Sequence, residues 1–315
     1  MPSKDSPQDL YNHAISLITD LQATKNWSKI AHMLKFAADN GIPEAQNKYG
    51  LFLKEGLGVP QDINASVELL LKAEKQGIPE SSAHLANLKF RALWTPEDIP
   101  LAAERLEIAA SKGDPYALFE SGISKLLPSK ESNFTDFEKL VPFGIAERYP
   151  LVSKIFQQAF TGFQNLKEDF YIQYHYAIIY LFGFLGTKDF PTALTWLNKS
   201  AEQGFPMAQF KLGRVLYFGV GDFVDTKAGT QWIEKAAKNG LTEAELEFGE
   251  ILYSEKKLPN HCVAAAEWFH KAAIKGNDSA QFYLGSLYIF GDEIKQDLET
   301  GLLWLIEAAN QDYGM

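Results

Sequence analysis

The sequence has 315 residues, of which 46% are hydrophobic and 13% aromatic, a composition that is ample for a continuous core and argues against disorder. Its formal net charge is −10, and no run of lysine and arginine forms the basic surface that phosphate neutralisation requires. Residues 176–186, the longest apolar run, fall far short of the roughly 20 residues of a membrane span. Nucleic acid and membranes are therefore not expected as partners.

The N-terminal part of the chain repeats with a period of 36 residues, the interval that separates Gly41, Gly77 and Gly113. A proline stands two residues after each glycine, where its fixed φ and missing N–H suit the first turn of a helix. Before Gly41 only the end of a second helix is recognisable, which is typical of an atypical terminal repeat. We assign residues 1–122 to an N-terminal cap followed by repeats.

The register breaks once, because 55 residues instead of 36 separate Gly113 from residue 168. A turn-rich stretch there leads into a segment whose Phe156, Phe160 and Phe163 recur at helical spacing. One interpretation is a degenerate repeat with a long second helix. The other is a docking ridge with exposed aromatic side chains. We treat residues 123–167 as an irregular, aromatic-rich insertion.

Residues 168–315 carry the clearest repeats, since four tryptophans from Trp196 to Trp304 follow at intervals of 36 and a glycine stands eight residues after each of the first three. Counted from the glycine that opens a repeat, apolar residues at positions 4, 8 and 11 predict a first helix, helix A. A small residue at position 9 indicates close approach of a second helix, helix B. The tryptophans are expected in the core.

A capping residue precedes helix B in most repeats, because a short polar side chain at position 21 can accept bonds from the first amides of a helix. In one repeat His261 occupies this position, and there we expect Asn260 to cap instead. The predicted caps are Asn26, Asp62, Asp98, Asp189, Asp225 and Asp297.

The motifs of one unit resemble the Sel-1-like repeat, a relative of the tetratricopeptide repeat. In chain order they are small-xxx-small, Leu-Gly-xx-Tyr, Gly-x-Gly, Asp, Ala, Trp and Ala-Ala-xx-Gly. The best-matching units span residues 208–240 and 280–309. The resemblance implies antiparallel helix pairs in which helix A lines the concave side, and adaptor or scaffold binding without catalysis. We predict an all-α, right-handed α-solenoid of about eight antiparallel helix-pair repeats of 36 residues, continuous along the chain.

No constellation for chemistry emerges from the sequence. The histidines are scattered over different repeats, and His261, Cys262 and His270 lack the spacing of a zinc ribbon or of an HExxH motif. Cys262, the only cysteine, is interpreted as an inert buried thiol, and it cannot form an intramolecular disulfide. We predict no enzyme activity, no cofactor and no metal.

Helix A positions 7, 10 and 14 differ between repeats: they are basic in one repeat, acidic in the next and aromatic in the third. A groove lined in this way could bind a protein or peptide segment. The alternative is an ordinary solvated helix surface. The candidate partner-binding residues are Lys211, Arg214, Phe218, Glu247, Glu250, Ser254, Tyr283, Ser286 and Phe290.

The expected function is a protein–protein interaction scaffold that holds its partner on the concave helix A face. The alternative is a targeting or regulatory arm of a larger protein whose catalytic domain lies outside this chain. Apolar residues 302–306 in the last helix further predict self-association or a fused domain at the C-terminal end. The single cysteine and the absence of an apolar leader favour a cytoplasmic location, and export by a non-classical route would leave the same trace.

Overall fold

A computed structural model of the protein describes residues 6–20, 26–90, 99–126, 148–164, 169–220, 223–255, 260–291 and 293–312. Across these residues every regular element is a helix, and none is a strand. The all-α repeat fold predicted from the sequence is confirmed. The chain divides into two compact units, residues 1–208 and residues 209–315, which we call unit 1 and unit 2.

Unit 1 contains ten helices in its described part, and they pack on one another in consecutive pairs. They are α1 (Pro7–Thr19), α2 (Trp27–Asp39), α3 (Pro43–Glu55), α4 (Ile63–Lys75), α5 (Pro79–Phe90), α6 (Ile99–Ser111), α7 (Pro115–Leu126), α8 (Pro150–Phe163), α9 (Phe170–Phe182) and α10 (Phe190–Glu202).

Unit 2 contains the next helices in the same order, and the first three residues of α11 still belong to unit 1. They are α11 (Pro206–Phe218), α12 (Thr226–Lys238), α13 (Thr242–Ser254), α14 (His261–Ala273), α15 (Asp278–Phe290) and α16 (Leu298–Asp312). No described helix of either unit is long and apolar enough to cross a membrane.

The predicted caps and glycine helix ends are confirmed at every described repeat boundary except the cap at Asn260. A side-chain oxygen of the capping residue accepts a hydrogen bond from the amide three residues later, which satisfies one of the unbonded N–H groups of the first turn. Gly240 ends α12 with a φ of 87°, in the left-handed region that glycine adopts without strain. Asp98 lies outside the described residues. The confirmed caps are Asn26, Asp62, Asp189, Asp225 and Asp297.

The expected cap at Asn260 is wrong. Asn260 makes no side-chain capping bond and has a φ of 58°, so its side chain does not reach the first turn of α14. A carboxylate from the following repeat replaces it, because Oε2 of Glu293 accepts from the amide of Cys262 at 2.9 Å. Sequence spacing could not reveal this cap, since the two residues are 31 positions apart.

The small residue at position 9 of helix A is explained by backbone contact. A Cβ atom added to Gly213 would lie 2.9 Å from the carbonyl oxygen of Gly229, and one added to Gly285 would lie 2.8 Å from that of Gly301. At these two glycines helix B comes close with its backbone, as the sequence predicts, whereas at Gly249 the ring of Phe269 fills the space.

The four tryptophans at intervals of 36 residues are less buried than the sequence predicts. All four rings from Trp196 to Trp304 are half-buried. In three repeats a lysine three residues later covers the ring, with its Nζ 3.8 Å from the ring centroid at Trp232 and 3.5 Å at Trp268. Such a cation over an indole face is favourable, and its aliphatic stem shields apolar surface.

The aromatic segment near residue 160 forms the second helix of a repeat. Helix α8 packs on α7, where the ring of Phe156 lies against Gly122 and stacks on Phe184 with centroids 4.0 Å apart. Phe156 and Phe163 are fully buried. In its described part this segment thus fits a degenerate repeat, and these two rings are not exposed on a ridge.

Candidate partner-binding face

Positions 7, 10 and 14 of helix A lie on one side of the helix, because residues three and four apart are neighbours on a helix surface. We call this row of side chains the helix-A stripe. Each repeat places its stripe beside the core positions 4, 8 and 11. The stripe contains the candidate partner-binding residues predicted from the sequence.

In unit 1 the helix-A stripe is used for internal packing. Lys48 is half-buried, and its Nζ lies 3.3 Å from a carboxylate oxygen of Asp169. From the repeat that opens at Gly41 onward, every other described stripe residue of unit 1 whose burial is resolved is buried. These are Leu51, Glu55, His84, Glu120, Ile123, His175, Ile178 and Phe182.

Helix α9 supplies three of those residues and contacts side chains of α3 and α5. All of its side chains except that of Tyr180 are buried, which is expected of a helix that is apolar on every side. Tyr171 of α9 receives a hydrogen bond from Nζ of Lys54 at 3.4 Å and packs its ring 5.4 Å from that of His84. Side chains of α3 and α5 therefore both end against α9, and no partner can use them.

Burial in the interior of unit 1 favours the neutral form of two histidines. Burial lowers the pKa of His175 to about 4, although its Nδ1 donates to the carbonyl of Tyr171 at 2.7 Å. Burial also lowers the pKa of His84 well below its usual value, and the positive charge of Lys54 adds to this effect. The Lys54 ammonium in turn lies 3.0 Å from Glu55. This cluster is a buried structural network.

In unit 2 the stripe begins with a paired charge. Nε of Arg214 lies 3.2 Å from Oε2 of Glu247. The two groups form an ion pair, but the N–H of Arg214 does not point at the oxygen well enough to make a hydrogen bond. The guanidinium carbon of Arg214 also lies 5.5 Å from the ring centroid of Phe218. Lys211 is buried. The structure thus brings the predicted basic and acidic residues of two repeats together.

The second half of the stripe is connected in a similar way. Tyr283 interacts electrostatically with Glu250 and stacks on Phe269 with centroids 4.8 Å apart. Burial raises the pKa of Tyr283, and the negative charge of Glu250 adds to the increase. The hydroxyls of Ser254 and Ser286 donate to carbonyls of their own helices, so they make no contact across the stripe.

Position 14 carries the exposed part of the stripe. The side chains of Phe218 and Phe290 are 60% and 79% exposed, although large aromatic side chains are usually buried in a core or an interface. Phe282 and Tyr253 beside the stripe are also exposed, and the sequence analysis did not single them out. Phe282 and Phe210 both stand at position 6 of helix A. Because Phe210 is buried, the sequence pattern alone did not indicate that Phe282 is exposed.

The sequence analysis also missed a polar pair that recurs between the two helices of a repeat. The residue at position 5 of helix A is buried and accepts a hydrogen bond from a side chain 30 residues later. The distances lie between 2.7 and 2.8 Å. The pairs are Gln46 with Gln76, Gln173 with Gln203, Gln209 with Asn239, Glu245 with Lys275, and Gln281 with Gln311.

Paired helices with a common cap, a common glycine and a common polar pair define a helical repeat protein. The Sel1 repeat family is matched at residues 43–78, 172–205, 206–241, 258–277 and 278–313, just over half of the chain. The chain therefore belongs to the Sel1 repeat family. This repeat fold is typically a protein-interaction scaffold and is generally non-catalytic.

Solved structures give similarities of the same kind. A Sel1 repeat protein from Oxalobacter formigenes is 24% identical, with 99% of this chain and 91% of that chain covered and a TM-score of 0.49. A protective antigen of uropathogenic Escherichia coli with this repeat fold is 22% identical, with coverages of 97% and 69% and a TM-score of 0.36. A Sel1 repeat protein from Klebsiella pneumoniae is 19% identical, with coverages of 70% and 98% and a TM-score of 0.38. No curated protein is significantly similar to the chain.

Proposed function

We propose that unit 2 is a protein-interaction module that holds a protein or peptide segment on its helix-A stripe. The observation that carries this proposal is the contrast between equivalent positions of the two units. Position 14 is buried at Glu55 and Phe182 in unit 1, whereas Phe218 and Phe290 in unit 2 are open to solvent. The interaction role typical of the fold supports the same conclusion.

The chemistry of the stripe favours a partner with apolar anchors. Arg214 and Glu247 already neutralise each other, and Glu250 already interacts electrostatically with Tyr283. A partner would gain little by competing for these charges, because each would have to give up its present contact. Burial of the two exposed phenylalanine rings would supply the larger favourable term, since aromatic residues dominate interface energetics.

The test is a double variant, Phe218→Asp with Phe290→Asp, compared with the wild-type chain. Capture from the cell of origin with cross-linking mass spectrometry identifies the partner, and titration with that purified partner measures affinity. We expect the double variant to bind at least about tenfold more weakly, since a charge replaces each ring that the partner would bury in the complex. The melting temperature should stay nearly unchanged because both rings are exposed.

The matched control is Phe36→Asp, which changes a phenylalanine of α2 that is 44% exposed on unit 1. This control should bind like the wild type. Unaltered affinity of the double variant, or cross-links that fall only on unit 1, would contradict the proposal. The charge variants Arg214→Glu and Glu250→Lys are poorer probes, because each breaks a contact inside unit 2.

A second candidate role is self-association through α16. Four apolar side chains of this helix are more than half exposed, and contiguous apolar surface on a soluble protein commonly marks an interface. They are Leu298, Leu302, Leu303 and Ile306. Light scattering decides this point: a dimer that Leu302→Lys with Ile306→Lys converts to monomers supports the role, and a monomeric wild type contradicts it.

A further inference from the structure

A histidine, a cysteine and a glutamate meet at the start of α14. His261 and Cys262 are the first two residues of the helix, and Glu293 reaches them from the loop that follows α15. Each offers one metal-ligating atom, and these atoms all lie within 4.8 Å of one another. No metal site was predicted from the sequence, because His261, Cys262 and His270 lack the spacing of a zinc ribbon or of an HExxH motif; the position of Glu293 beside the first two appears only in the structure.

The distances in this cluster suit a zinc ion. Nε2 of His261 lies 3.5 Å from Sγ of Cys262. Zinc bonds of about 2.0 Å to nitrogen and about 2.3 Å to sulfur at a tetrahedral angle place those two atoms about 3.5 Å apart. The carboxylate of Glu293 lies at the other nitrogen of the same ring, since its Oε2 is 3.1 Å from Nδ1, and the candidate ligand atoms of the three residues all lie within 4.8 Å of one another. Rotation of the glutamate side chain would bring its carboxylate toward the metal.

The cluster contains an unsatisfied polar atom. Nδ1 of His261 is shielded from water and has no hydrogen bond of acceptable geometry, despite the nearby carboxylate. A shielded imidazole nitrogen without a hydrogen bond destabilises a fold unless some other group satisfies the ring. Nitrogen, thiolate and carboxylate together form the donor set that zinc prefers.

Burial gives the cluster a closed side and an open side. Cys262 is fully buried, the side chain of His261 is 14% exposed and that of Glu293 is 30% exposed. A metal bound here would keep a fourth position toward solvent, where water or a partner residue could bind. Binding would displace the thiol proton into solvent, because the thiolate is the ligand form of cysteine.

We infer that His261, Cys262 and Glu293 form a binding site for one zinc ion with an open fourth coordination position. In this repeat the usual aspartate cap is replaced by His261, and Glu293 serves both as the cap of α14 and as a ligand. The site would tie the loop after α15 to the first turn of α14. Zinc would therefore stabilise unit 2.

Cobalt titration of the reduced, chelator-treated full chain tests the inference. Cys262 is the only cysteine, so any thiolate-to-cobalt charge-transfer band must come from it. We expect one equivalent of Co²⁺ to produce that band, zinc to abolish it, and zinc to raise the melting temperature by several degrees. A wild-type chain without the band would overturn the proposal.

Variants separate metal binding from capping. Glu293→Gln keeps an oxygen that can cap the amide of Cys262 but loses the charge, and it should weaken zinc binding by more than about tenfold. Cys262→Ala should remove the band entirely. His270→Asn, on the same helix but outside the cluster, should bind zinc like the wild type. Equal zinc affinity of the wild type and Glu293→Gln, with both folded by circular dichroism, would also overturn the site.

Discussion

The ammonium of Lys48 lies 3.3 Å from the carboxylate of Asp169, a residue 121 positions later in the chain. A repeat in an open array contacts only its neighbours, so this ion pair marks a departure from simple stacking. In unit 1 the first repeats pack against α9, and their helix-A stripe is lost as a binding surface. In unit 2 position 14 stays exposed at Phe218 and Phe290, which is why the interaction face is proposed on that unit.

The contact of Trp27 with Gly204 gives a direct test of this packing. Trp27 packs edge-on against Phe170, with centroids 5.3 Å apart, and a Cβ added to Gly204 would lie 2.5 Å from its Nε1. We expect Gly204→Ala to lower the free energy of unfolding by more than the roughly 1 to 2 kcal/mol of left-handed strain alone. Urea unfolding followed by circular dichroism measures it.

The chain offers a matched control at Gly276. Its φ is 88°, against 90° at Gly204, yet a Cβ there would meet nothing within 4 Å. Gly276→Ala should therefore show the backbone strain without the clash. Equal destabilisation by the two variants would mean that Trp27 does not press on Gly204.

Two of the four repeated tryptophans differ in one contact. Trp196 and Trp232 are both half-buried under a lysine, but the ring of Trp196 also stacks on Tyr176 with centroids 4.8 Å apart. We expect Trp232→Ala to cost about 1 to 3 kcal/mol, less than a fully buried indole. Trp196→Ala should cost about 1 kcal/mol more, since aromatic pairs contribute beyond their buried area. Similar denaturation midpoints for wild type and Trp232→Ala would contradict a packing role.

The sequence predicted those features that depend on near neighbours in the chain. A cap such as Asp225 and a helix end such as Gly240 are set within four residues, and the 36-residue register repeats them often enough to be recognised. The close approach at Gly213 was predictable for the same reason, because helix B follows helix A directly.

The remaining features depend on contacts between distant segments. The burial of His84 and His175 requires α9 to lie against α5 and α7, and no local pattern encodes that placement. Glu293 caps a helix that begins 32 residues before it, so its role appears only in three dimensions. The candidate stripe residues lie on helix A, and their binding role stays a prediction; their internal pairing, such as Arg214 with Glu247, was not predicted.

The polar pair at position 5 has one charged version, in which Nζ of Lys275 donates to Glu245 at 2.8 Å. Lys275→Met would leave a buried carboxylate without its cation, and we expect a loss of about 2 to 3 kcal/mol at pH 8. Burial already raises the pKa of Glu245, while Lys275 lowers it. Without the lysine the folded-state pKa should rise further, so the loss should shrink as the pH falls toward 5 and the carboxyl is protonated.

The neighbouring repeats supply the control for that variant. Gln281 and Gln311 form the same pair without charge at 2.8 Å. Glu245→Gln combined with Lys275→Gln should therefore recover most of the stability lost in Lys275→Met and show no pH dependence from this site. A double variant as unstable as Lys275→Met would show that the charge itself is required.

The stability of unit 1 in acid depends on two buried titratable groups, His175 and Asp114. His175 has a folded-state pKa of about 4, lowered chiefly by burial, against an ordinary value of 6.5. The unfolded chain therefore binds this proton more readily, and stability that is present above pH 6.5 is lost as the pH falls toward 4. Asp114 acts in the opposite sense, because burial raises its pKa to about 6 and favours the folded state in acid. We expect His175→Gln to flatten the fall in the free energy of unfolding between pH 6.5 and 4, and Asp114→Asn to steepen it. Urea titrations at several pH values measure both slopes, and a wild-type chain equally stable at pH 6.5 and pH 4.5, with His175→Gln showing the same profile, would refute the role of the buried imidazole.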